Sequence, residues 1–77
     1  MKALIESTTK LVEVVINGQR VPARIWEGTT EKGVPFHAFI TRVAVKFGQD
    51  QSDFEKELIE QKTPSPEIEA IPGRLIF

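Results

Sequence analysis

Leu11-Val12-Glu13-Val14-Val15-Ile16-Asn17-Gly18-Gln19-Arg20-Val21-Pro22-Ala23-Arg24-Ile25-Trp26 decides the fold. Two runs rich in β-branched residues flank an Asn-Gly pair, which tolerates the two positive φ angles of a type I′ turn. The stretch therefore predicts a β-hairpin. A two-residue loop pairs Ile16 with Gln19, Val14 with Val21 and Val12 with Ala23, so Val12, Val14, Ile16, Val21, Ala23 and Ile25 share one face. That face is the expected core. The other carries Leu11, Glu13, Val15, Arg20, Pro22, Arg24 and Trp26, with Glu13 in diagonal reach of Arg20 and Arg24. Pro22 cannot donate to a ladder, which puts its strand at an edge or at a bulge.

Downstream, Glu27-Gly28-Thr29-Thr30-Glu31-Lys32-Gly33 is polar and reads as an exposed loop. A long strand is expected next. The apolar set of Val34 to Ile40 fits both phases, with Val34, Phe36, Ala38 and Ile40 alternating with His37, and after Thr41-Arg42 it becomes Val43, Val45 and Phe47, the opposite phase. A bulge or sharp bend near Thr41 accounts for such a switch. Asp50 to Lys62 carries the helix signal: Ser52 and Glu55 have capping-box spacing, Asp50 with Asp53 offers a second start, and Thr63-Pro64 stops it. Phe54, Leu58 and Ile59 form its narrow apolar stripe. Thr63 to Pro66 reads as an extended connector, Glu67 to Ile71 as an alternating strand, and Pro72-Gly73 as a type II turn before a short strand at Arg74 to Phe77. Lys2 to Glu6 adds a candidate further strand.

The order is β-β-β-α-β-β. It implies an α+β fold or small β-barrel built on a curled antiparallel sheet with one short helix. Oligonucleotide-binding barrels resemble this order, with five strands and a helix between the third and fourth. The likeness is one of architecture and carries no function.

Residues 1–77 have room for one small β-rich domain. Surface scaling expects a compact chain of this mass to remove about 7,900 Å² of its extended surface from water. The chain has no cysteine and one histidine, so disulfides and common zinc sites are closed to it, and self-association is the remaining way to reinforce so small a core. The apolar run at the N-terminus ends at Glu6, too early for an exported leader, and no run of about 20 apolar residues could span a membrane. A cytoplasmic setting is expected. The net charge of −1 hides an asymmetry, +3 over residues 1–46 and −4 over residues 47–77.

The chemistry-bearing candidates are few. Gly28 to Gly33 has the glycine spacing of a phosphate loop, but Val34-Pro35 follows where Lys-Ser/Thr and a helix are required. His37 is the one conventional base near neutral pH, and no spacing marks a nucleophile or acid to serve it. Asp50 to Asp53 lacks the glycine and distal glutamate of a calcium loop. No catalytic residue, cofactor or metal is therefore assigned. Arg20, Arg24, Trp26 and Arg42 form the candidate face for a nucleic acid or a partner, since aromatic rings stack on bases while arginines neutralise phosphates. Leu75, Ile76 and Phe77, apolar to the last residue, either fill the domain's own core as a sheet strand or form the candidate subunit interface. The expected function is a non-enzymatic binding module for a protein partner or a second copy. Single-stranded nucleic-acid binding is the alternative, and it requires the acidic helix to lie away from the basic strand face.

Overall fold

A computed structural model describes all 77 residues as a small α+β fold, a curled four-stranded sheet with short helices against it. The strands are β1 (Ala3–Ile16), β2 (Gln19–Thr30), β3 (Pro35–Ile40) and β4 (Arg74–Ile76), in the order β3-β2-β1-β4. The helices are α1 (Gln51–Leu58) and α2 (Pro66–Glu69).

The hairpin has the register the turn dictates, with Ile16 opposite Gln19, Val14 opposite Val21 and Val12 opposite Ala23. Asn17 and Gly18 take φ of 51° and 77°, the two left-handed positions of the turn. On the expected face, Val12, Val14, Ala23 and Ile25 are buried, and Phe39, Ile71 and Leu75 pack against them. Val21 is half-buried and Ile16 exposed, because both lie at the open turn end. Pro22 sits without cost. The Glu13 amide donates to the Gly73 carbonyl on the β4 side, so Glu13 and Pro22 are a non-hydrogen-bonded pair and the proline nitrogen points away from β1. β3 ends at Ile40 opposite Arg24, two residues short of Pro22, so β2 is an edge there.

β1 is one long strand with a large bulge. Between the pairs Ser7–Trp26 and Leu11–Arg24, Thr8, Thr9 and Lys10 oppose Ile25 alone. Two extra residues preserve the side-chain alternation, so Ile5, Ser7, Leu11 and Glu13 all stay on the outer face. The bulge is held by polar bonds: the Thr8 hydroxyl, fully buried, donates to the Ile25 carbonyl at 2.6 Å and accepts from the Lys10 amide at 3.2 Å. The segment after α1 is laced to the same place. The Lys62 amide donates to the Ser7 carbonyl at 3.0 Å and the Thr9 amide to the Lys62 carbonyl at 3.2 Å.

Several expectations are corrected. β2 continues to Thr30, so the loop is confined to Glu31–Val34, and Ile5 and the Phe36 ring close over Gly28 where a Cβ would collide with both. β3 stops at Ile40 instead of bending at Thr41. The following residues leave the sheet, Val43 is 42% exposed and Phe47 wholly so. Asp50, not Ser52, caps α1, accepting from the Ser52 amide at 2.9 Å and the Ser52 hydroxyl at 2.6 Å, and the helix ends at Leu58, short of Lys62. Glu67 to Ile71 is not a strand. Ser65 and Pro66 occupy the N-cap and first helical positions of α2, and Ile68 and Ile71, three apart, both turn to the core. Gly73 does not take positive φ, so Pro72-Gly73 is not a type II turn. β4 pairs parallel to β1, which makes the sheet mixed.

The curl is visible in one contact. β3 and β4 are opposite edges of the sheet, three strand spacings apart or about 14 Å if flat, yet the rings of Phe39 and Phe77 lie 6.1 Å apart. The sheet is a half-barrel whose mouth these two rings bridge.

Packing is nevertheless thin. The accessible surface is 6216 Å², about 1,500 Å² more than a compact chain of this mass leaves in water. The radius of gyration is 13.8 Å against about 11.5 Å expected.

Candidate functional site

Side-chain alternation along β2 sends Arg24 and Trp26 to the outer face of the sheet, opposite the core. α1 lies over that face at the Trp26 end. Two grooves flank its C-terminal half, both lined by Trp26, Leu58 and Gln61. One, of about 310 Å³, brings Arg24 and Trp26 together with Ile40, Arg42, Val43 and Ile59. The other, of about 480 Å³, adds Ile5, Phe54, Glu57, Glu60 and Lys62. Three of the four residues of the candidate face thus converge on one groove.

Arg20 does not join them. It lies near the turn, where its Nε is 3.8 Å from Glu13, and the same carboxylate accepts from Arg74 Nε at 2.9 Å. Glu13 therefore bridges Arg20 and Arg74, not Arg20 and Arg24. Arg24 instead donates to the Thr8 carbonyl at 2.9 Å, bracing the β1 bulge. Its guanidinium is partly committed to the fold. Glu57 and Glu60 stand beside Trp26, so the acidic helix lies on the basic strand face, the arrangement least suited to a polyanion.

The terminal trio divides. Leu75 is half-buried against the core beside Val14. Ile76 is 79% exposed on the outer face and Phe77 is 69% exposed at the mouth of the curl. Because Gly73 and Phe77 bond to β1 through the Glu13 amide and the Val15 carbonyl, the main-chain groups of Arg74 and Ile76 point away from β1 into solvent.

On the core side a polar clamp was missed by sequence reasoning. Glu27 accepts from the Ser65 hydroxyl at 2.7 Å and the Ser65 amide at 3.2 Å, with Lys62 Nζ at 3.3 Å. The Ser65 hydroxyl, then its amide and Lys62, hold the Glu27 carboxyl below its ordinary range against a smaller opposing effect of burial. This bidentate seat fixes the start of α2 and so delivers Ile68 to the core. The sequence signal was Ser65-Pro66, a cap followed by a first-turn proline.

His37 is exposed and stands edge-on to Phe39, ring centroids 5.4 Å apart. No group of three His, Cys, Asp or Glu side chains is placed to hold a metal ion, and no helix is long and apolar enough to cross a membrane. No family model, curated protein or solved structure matches this chain.

Proposed function

We propose that the chain is a non-enzymatic binding module that docks onto another polypeptide, a second copy of itself included. The observation that carries this reading is the surface excess of about 1,500 Å² over a compact monomer of this mass. Large apolar side chains contribute to it. Leu4, Leu11, Phe47, Ile59, Ile76 and Phe77 are all exposed on a chain with only five buried hydrophobic residues. Such surface is costly in water and is removed by contact with another chain. An obligate partnership commonly buries 2,000 Å² or more in total, an amount this excess can supply from two chains.

Sedimentation equilibrium with binding of an apolar dye tests the reading. A mass above the 8.7 kDa of the monomer supports self-association, and a dye-binding monomer supports a different polypeptide as occupant. A monomer that binds no dye would remove the proposal.

A second reading rests on the convergence of Arg24, Trp26 and Arg42 on one groove. Their rings and guanidinium groups suit stacked bases and phosphates of single-stranded nucleic acid. Glu57 and Glu60 beside the same tryptophan weigh against it. Salt-sensitive amide shifts at these three residues on titration with mixed-sequence single-stranded DNA would move it to first place; a flat titration would dismiss it.

A further inference from the structure

We propose that two copies of this chain join through β4, edge to edge, about a two-fold axis at Leu75, to give one continuous eight-stranded sheet. The inference rests on the docking reading above and names its occupant.

β4 offers a self-complementary edge. The outward-pointing amides and carbonyls belong to Arg74 and Ile76, one residue on either side of Leu75. Antiparallel pairing about Leu75 sets Arg74 of each chain opposite Ile76 of the other. Both residues already face the partner, so each such pair closes two main-chain hydrogen bonds, four in all. Shifting the register by one residue would place inward-bonded groups opposite outward ones and close none of these bonds.

The side chains agree with this register. Leu75 meets its own copy on the core side. Phe77 falls opposite Gly73 of the second copy, where nothing lies within 4 Å of an imagined Cβ and a ring can therefore lie flat. Ile76, on the outer face, gains the aliphatic stem of the opposing Arg74, whose charge is already met by Glu13 at 2.9 Å. Edge strands are kept apart in solution by charged side chains, proline, a bulge or short length. β4 is short, but its one charge, Arg74, is already paired with Glu13 and no proline or bulge interrupts Arg74–Ile76, whereas the other edge, β3, opens on Pro35 and is abandoned by the chain after Ile40. Ile16, which falls beside Phe77, extends the apolar rim of the contact.

Ile76→Pro tests the contact directly. It deletes one outward amide and leaves every β4 bond to β1 in place, because those run through Gly73, Leu75 and Phe77. Wild-type chains should sediment at twice 8.7 kDa, and Ile76→Pro should be a folded monomer with an unchanged hairpin spectrum. Should that variant fail to fold, Leu75→Cys decides. The facing Cα atoms of a non-hydrogen-bonded pair are about 4.5 Å apart, within disulfide reach, and the chain has no other cysteine. Mild oxidation should then yield a covalent dimer from Leu75→Cys and none from an Ile59→Cys control. A wild-type dimer that Ile76→Pro leaves intact, or that Leu75→Cys does not cross-link, would overturn the β4 contact and keep self-association. A wild-type monomer at every concentration would overturn a second copy as occupant, leaving the docking reading to the dye.

Discussion

α1 has eight residues, a side-chain cap and an apolar stripe, yet none of its residues is fully buried. α2 has four residues and no side-chain cap bond, yet it carries Ile68, only 3% exposed, into the core. The difference lies in what holds each helix to the sheet. Glu27 reaches across from β2 to grip Ser65, so α2 starts at a fixed point above the core face. Local helix signals stabilise α1, which β1 holds only beyond its C-terminal end through Glu60 and Lys62, while a tertiary bond at its N-cap seats a helix too short to stand alone. Phe54 and Leu58 consequently only half-cover the outer face around Trp26.

Truncating the two helices' apolar anchors should separate them most widely. Ile68→Ala should cost about 2–4 kcal/mol in urea unfolding, since it empties a closed site in a five-residue core. Phe54→Ala should cost about 1 kcal/mol, the loss of a partly covered ring. Equal losses would break the distinction. Removing the clamp charge with Glu27→Gln should cost on the order of 1 kcal/mol, because the bond to Ser65 loses its ionic character.

The clamp also has a pH signature. The Glu27 carboxyl titrates lower in the folded chain than its ordinary 4.5, so the unfolded chain binds protons first as pH falls. Its contribution is therefore complete above that value and is lost as the pH drops through the lower, folded one. Wild-type stability should fall over that acid window more steeply than that of Glu27→Gln, read by unfolding at a series of pH values. Parallel curves would mean the carboxylate holds nothing.

The smallest effect is expected at the other helix. Asp50→Ala should fray the first turn of α1, seen as reduced helical carbon shifts at Gln51 to Phe54, while the unfolding midpoint of the sheet stays put. A cooperative loss of the whole fold would show that α1 is seated after all.

Legibility in the sequence followed locality. Asn17-Gly18 fixes its own register, so six facing residues followed from one dipeptide. At Glu67 to Ile71, alternation and a spacing of three fit equally well, and five residues are too few to separate a period of 2 from one of 3.6. The phase change at Thr41 coincides with the chain leaving the sheet; beyond Arg24 the next β2 position facing β3 is Pro22, which has no amide to offer. The parallel seat of β4 joins residues some sixty positions apart and has no local signature. At the candidate site, side-chain alternation placed Arg24 and Trp26 on one face, and the groove added Arg42. Arg20 was lost to Glu13, and the position of α1 over that face was beyond what spacing can reveal.

The central claim is that a second copy meets the open edge of β4. An isotope-filtered NOE experiment on a mixture of labelled and unlabelled chains tests it most directly. Intermolecular contacts between Leu75 and its own copy, and from Phe77 to Gly73, are the predicted result. Contacts confined to the Trp26 face, or none at all, would contradict it.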